Sequence, residues 1–155
     1  MTVAINNESG VSIDEHAIVA LAQFVLDEMA MHPLAELSVM LVDEQTMSTL
    51  HKHFMDEDGP TDVLAFPMDE LRPLPGDEQP ELGLLGDVVL CPDVAERQAV
   101  AAAHTMRSEL ELLCTHGILH LLGYDHSDAD EQREMFGLQS KLLAEWQATA
   151  PQGQA

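Results

Sequence analysis

Between Ile18 and Met29 the apolar side chains Ile18, Leu21, Ala22, Val25, Leu26 and Met29 return every three or four positions, the period of one buried helix face. That period predicts a helix from a cap at Ser12 or Asp14 to about His32, where Pro33 stops it. Ahead of it, Thr2–Ile5 predicts a short strand, followed by the turn-forming run Asn6–Gly10. Leu37–Val42 is apolar at all but one position and predicts a strand largely buried on both faces. A second helix is predicted over Glu44–Phe54, ending in the acidic turn Asp56–Pro60. Thr61–Pro67 reads as a strand stopped by proline, and Leu84–Cys91 as another with Gly86-Asp87 early in it. Met68–Gly83, which carries Pro73, Pro75, Gly76 and Pro80, is predicted as a loop, more a mobile insertion than a lid. Pro92 opens a helix over Asp93–His104, and further helices cover Met106–Leu122 and roughly Asp130–Gln147 before a polar tail, Pro151–Ala155. No repeat or boundary interrupts the series. Residues 1–150 are therefore expected to form a single α+β or α/β domain, a small, mostly parallel sheet with helices packed on it.

Composition narrows the classes. At 155 residues with 46% hydrophobic content, the chain can bury a real core. Its apolar runs are broken well short of the roughly 20 residues of a bilayer helix. Met1–Gly10 lacks the basic start and apolar stretch of a signal peptide, so the expected compartment is cytoplasmic, with no membrane partner. Cys91 and Cys114 fit that compartment as buried thiols. The formal charge of −22, with Lys52, Arg72, Arg97, Arg107, Arg133 and Lys141 as the only fixed cations, repels polyanions. Any activity on nucleic acid needs a metal and a local basic patch to overcome that field. Most of the carboxylates are expected simply to form a solvated, solubilising surface.

The chemistry concentrates in His116-Gly117-Ile118-Leu119-His120-Leu121-Leu122-Gly123-Tyr124-Asp125-His126. His116 and His120 are four apart, so on one helix they stand about 40° apart on the same face and can share an ion. His126 joins them only if the chain reverses, because ten more helical residues would carry it about 15 Å along the axis. Gly123 stands where a left-handed C-cap makes that reversal. Cys114 lies about 200° round from His116 and points away, while Leu112, Leu113 and Leu119 predict a largely buried metal helix. His16, His32, His51, His53 and His104 have no comparable spacing and are expected at the surface or in packing. Three neutral imidazoles suit one Zn²⁺, although Ni²⁺ and Cu²⁺ fit the same ligands, and they leave a fourth position open as in catalytic zinc sites. The spacing also equals that of the metzincin proteases, except that Gly117 replaces their general-base glutamate. Asp125 is the nearest carboxylate in sequence: either a catalytic group that handles a proton or orients a ligand, or only a cap for the turn.

This histidine stretch resembles the signature of the bacterial YbeY family, metal-dependent endoribonucleases of ribosomal RNA maturation. Gly59–Pro67 and Leu85–Pro92 are similar, in the same order, to that family's proline-threonine segment and glycine-aspartate strand, so the resemblance spans about Leu37 to Leu143. It implies a four-stranded mixed sheet surrounded by about five or six helices, and one zinc ion on His116, His120 and His126. It also implies cleavage of single-stranded RNA in small-subunit ribosomal RNA maturation and ribosome quality control. One position departs: many relatives place a substrate-contacting arginine after an aromatic, where Phe54 is here followed by Met55, with Arg72 in the following loop as a candidate substitute. Two routes of cleavage stay open, attack by hydroxide or by the ribose 2′-OH. Two other classes stand beside the nuclease: a metzincin-like hydrolase of peptide or amide bonds, and a non-catalytic assembly factor. The acidic surface of the last would meet ribosomal particles or basic ribosomal proteins.

Overall fold

Four strands, β1 (Thr2–Asn7), β2 (Glu36–Leu41), β3 (Val63–Pro67) and β4 (Leu84–Leu90), make one sheet in the order β1-β2-β4-β3. The computed structural model describes residues 2–31, 35–67 and 84–149. β1 and β4 run parallel to β2, whereas β3 runs antiparallel to β4 and forms the edge next to it. The sheet is thus mixed and mostly parallel, as expected, with five helices among the described residues: α1 (Glu15–Glu28), α2 (Glu44–Met55), α3 (Pro92–Ala101), α4 (Met106–Leu121) and α5 (Ala129–Thr149). The expected loop Met68–Gly83 with its Arg72, the tail Pro151–Ala155 and His32 lie outside the described residues.

Helices cover both faces of the sheet, which is why the second half of β4 is apolar on both sides: Val88, Val89 and Leu90 are all fully buried. On one face Val39, Leu41, Val88 and Leu90 pack with Leu21 and Val25 of α1, Leu110 and Ile118 of α4, and Met135 and Leu142 of α5. On the other, Met47 of α2 packs with Leu64, Phe66, Val89 and Cys91. α2 presents only Met47 as a fully buried side chain. β2 is accordingly buried on one face by Leu37, Val39 and Leu41 and half-buried on the other at Ser38 and Met40.

Side-chain caps start the helices, with Asp14, Asp43 and Thr105 accepting from the backbone N–H of Ala17, Thr46 and Ser108. Two helices stop earlier than predicted. α1 ends at Glu28, and Ala30 takes a left-handed φ of 55° while the Met31 N–H donates to Leu26 O. α3 ends at Ala101 through the same closure, Ala103 at φ 59° and the His104 N–H on Ala99 O. Both ends are Schellman turns with alanine in the position usually held by glycine, so no residue type announces them. α5 is fastened down by Trp146, whose Nε1 donates to the buried Glu111 of α4 at 2.8 Å and whose ring meets Phe24 of α1 at 5.5 Å. That clamp fixes the helix whose preceding turns reach the histidines.

Candidate metal centre

α4 carries two of the three histidines and is held unusually close to the sheet. At Gly117 a Cβ would lie 2.8 Å from Val88 Cγ1 and 3.3 Å from Val63 Cγ2, so only glycine lets the helix backbone settle there. Valine is stiff at χ1, and Val88 is paired with both β2 and β3, so it has little room to retreat. The position that holds the general base in metzincins is therefore filled by the sheet itself. With Gly117, Ile118 and Leu119 turned inward, His116 and His120 remain half-buried, facing a groove.

The helix ends where the reversal was predicted. Gly123 adopts φ 101°, its N–H donates to His120 O, and the Tyr124 N–H donates to Leu119 O, a Schellman turn with glycine at its left-handed residue. The returning chain brings the His126 ring to 5.2 Å from that of His120 and 5.7 Å from that of His116, centroid to centroid. One ligand nitrogen from each of the three lies within 4.8 Å of the others. Nitrogens bound at 2.0–2.1 Å around a tetrahedral zinc stand about 3.4 Å apart, so this donor set fits one ion after small ring movements.

The nitrogens are also prepared chemically. Nδ1–H of His116 donates to Gln139 Oε1 at 2.9 Å, which leaves Nε2 as a lone pair, 3.1 Å from Nε2 of His120. Two such nitrogens face to face hold either one proton or one cation between them. Burial, with smaller contributions from His116 and His126, pushes the pKa of His120 below the ordinary imidazole value and keeps it neutral, the form a metal requires. Phe136 of α5 stacks on His126, ring centroids 6.0 Å apart, and lies equally far from His116.

The groove beside the triad encloses about 570 Å³ and runs between α4 and the edge strand β3. Met55 at the end of α2 and Asp62, Val63, Leu64, Ala65 and Pro67 of the β3 segment complete its lining with Asp125. Oδ1 of Asp125 accepts the His126 N–H at 2.7 Å and Oδ2 accepts from Ser127 Oγ at 3.3 Å. The first of these bonds holds the exposed carboxyl below the usual carboxylate range. Asp125 thus caps the turn and lines the groove at once. Met55, at the position where the family resemblance implies an arginine, lines the groove, and the lining contains neither lysine nor arginine among the described residues. The other described histidines are elsewhere: His51 ties the acidic turn together through Gly59 O and Glu57, and His104 meets Glu109.

Gln139, Phe136 and Asp62 were not picked out from sequence. Gln139 leaves a trace there, since it interrupts the apolar stripe of Met135, Leu138 and Leu142 at helical spacing. Phe136 and Asp62 leave none.

Comparison with known proteins follows the same lines. The family model described as endoribonuclease YbeY matches residues 4–147. Curated relatives named endoribonuclease YbeY include that of Thermobifida fusca, 60% identical over 146 residues, or 94% of each chain. Another is that of Acidothermus cellulolyticus, 60% identical over 152 residues, 96% of this chain and 93% of the relative. A solution structure of a Thermotoga maritima protein is similar at TM-score 0.61 and 26% identity, covering 99% of both chains.

Proposed function

This chain belongs to the YbeY endoribonuclease family, and from that membership we propose a zinc-dependent endoribonuclease that cuts single-stranded RNA in small-subunit ribosomal RNA maturation and ribosome quality control. The observation that carries the reading is the convergence of three imidazole nitrogens within 4.8 Å at the wall of an open groove. His116, His120 and His126 hold the ion, and the domain that holds them is read as residues 1–150. Bound zinc supplies a Lewis acid for the developing charge on a phosphoryl oxygen. Gln139 fixes the tautomer of His116, as a partner on the far nitrogen of a metal-bound imidazole does in other sites. Asp125 is proposed to take the proton of the attacking hydroxyl. Its Oδ1 is engaged by the His126 N–H, which leaves Oδ2 with only its long Ser127 contact for that transfer. A carboxylate of lowered pKa is a weak base, so Asp125→Asn should slow the reaction far less than loss of a histidine.

Gly117 weighs against the peptide-hydrolase reading, since the sheet leaves no room there for a base. The acidic surface favours docking on ribosomal particles through basic ribosomal proteins, which adds to the nuclease reading without replacing it. Cys91 and Cys114 are free and buried, in keeping with a cytoplasmic site of action. No helix among the described residues is long and apolar enough to cross a membrane.

The test is zinc content and cleavage of a defined single-stranded RNA, measured together for ribonuclease-free wild type and His120→Ala. Both are expected to fall away in the variant while its circular dichroism stays unchanged. Wild-type protein that binds zinc and leaves the RNA intact sinks the proposal. A 2′,3′-cyclic phosphate at the new end would identify attack by the 2′-OH, whereas a 3′-OH paired with a 5′-phosphate would identify attack by hydroxide. His116→Ala that still binds ribosomal particles but no longer cuts would separate docking from catalysis.

A further inference from the structure

Among the described residues three large apolar side chains are exposed, Met55, Val100 and Phe136; Met55 lines the histidine groove, and Phe136 lies against the rings of His126 and His116 beside it. Phe136 is an aromatic ring with 38% of its surface exposed. It is not a loose side chain, because the fully buried Met135 precedes it and Gln139, one turn later, is bonded to His116. One side of the ring is stacked against His126, 29° from parallel. A residue that served only to pack the imidazoles would be better buried.

Charge says what such a ring can grip. The groove presents Asp62 and Asp125 and, among the described residues, no cationic side chain. Cations on the neighbouring helices are already paired, Lys52 with Asp56 and Asp58, and Arg133 with Asp130. Apart from the metal proposed for the histidines, the described side chains therefore offer phosphate, the usual source of affinity for nucleic acid, little attraction at this surface. The bases of a single strand offer the alternative: an unpaired base has a free π-face that stacks on an aromatic side chain whatever its identity.

We propose that Phe136 is a stacking platform that holds one unpaired nucleobase beside the metal centre, so that an RNA strand is gripped by its base more than by its phosphates. The inference rests on the endoribonuclease reading above. Selectivity for single strands then follows from the platform itself, because a base inside a duplex has no free face to offer.

The experiment uses the full chain loaded with zinc, and a single-stranded oligoribonucleotide carrying 2-aminopurine as the probe. Binding should quench the probe in wild type and in Phe136→Trp, and leave it bright in Phe136→Ala and Phe136→Leu. KM for cleavage should rise about tenfold in the alanine and leucine variants, with kcat and zinc affinity within about twofold of wild type. Two results overturn the proposal: Phe136→Leu retaining wild-type KM and quenching, or zinc affinity falling in step with activity, which would make Phe136 a packing residue for the imidazoles. Wild-type protein that quenches the probe through Phe136 yet leaves the strand intact would refute the nuclease reading and retain the platform. Cleavage with a KM indifferent to all three substitutions would retain the nuclease and refute the platform.

Discussion

Gly117 and Gly137 both lie inside helices, on α4 and α5, and their surroundings are opposite. A Cβ at Gly117 would press on Val88 and Val63, whereas at Gly137 nothing lies within 4 Å. Glycine in a helix interior is about 0.5–1 kcal/mol less favourable than alanine, a penalty both positions bear. Only at Gly117 does the structure show what offsets it. Close approach of α4 to β3 and β4 brings His116 and His120 against the strand that lines the groove. One glycine is a structural device for building the site, and the other is a residue that the fold tolerates.

The largest test of that contrast is Gly117→Glu, which restores the metzincin pattern and forces a charged side chain into the helix–sheet contact. Overpacking and a buried charge together should lower stability by about 3 kcal/mol or more, and the melting temperature by roughly 6–12 °C. An unchanged calorimetric Tm would mean that α4 can step away from the sheet at no penalty. Next in size is Gln139→Ala, two residues along α5 from the open glycine. It should weaken zinc binding about 10- to 100-fold in a chelator competition while leaving the metal-free Tm nearly unaltered.

Alanine substitution then sharpens the comparison through its sign. Gly117→Ala should destabilise by about 1–2 kcal/mol despite alanine's better helix propensity, because the 2.8 Å contact outweighs it. Gly137→Ala should stabilise by about 0.5–1 kcal/mol, and urea midpoints that move in the same direction would erase the distinction.

The smallest effect concerns Cys114, one turn before Gly117 on the packed side of α4. Burial pushes its thiol from 9.0 up to about 12. The unfolded chain releases that proton above pH 9 while the folded chain keeps it. Its contribution is therefore whole below pH 9 and is lost progressively as pH rises toward 12. Between pH 8 and pH 9.5 the loss should be on the order of 1 kcal/mol or less, visible as a difference in unfolding free energy between wild type and Cys114→Ala.

What could be read in advance depended on whether the information was local. The histidine spacing and Gly123 lie in one stretch of chain, and the structure realises the geometry they require: two rings on one helix face, then a left-handed residue. Helix ends at Ala30 and Ala103 escaped because alanine carries no sign that it will take a positive φ. The family resemblance implied a mixed sheet without saying which strand is reversed, although Met68–Gly83 offers no helical pattern for the crossover that parallel neighbours need. Gln139 and Phe136 escaped for another reason. They approach His116 from a different helix, and that approach depends on the seating of Trp146 on Glu111, which no periodicity encodes. Gly117 was read as the lack of a base, and the packing around it supplies the positive cause.

The three imidazoles come from eleven consecutive residues, with the reversal at Gly123 as the only shaping they need. An unfolded chain keeps those same donors within one short loop, whose closure has a modest entropy penalty. Zinc bound there as proposed would therefore retain some affinity for the denatured ensemble. Its added protection against unfolding will plateau at high concentration, where a site assembled from distant strands would go on gaining stability with each tenfold rise in metal.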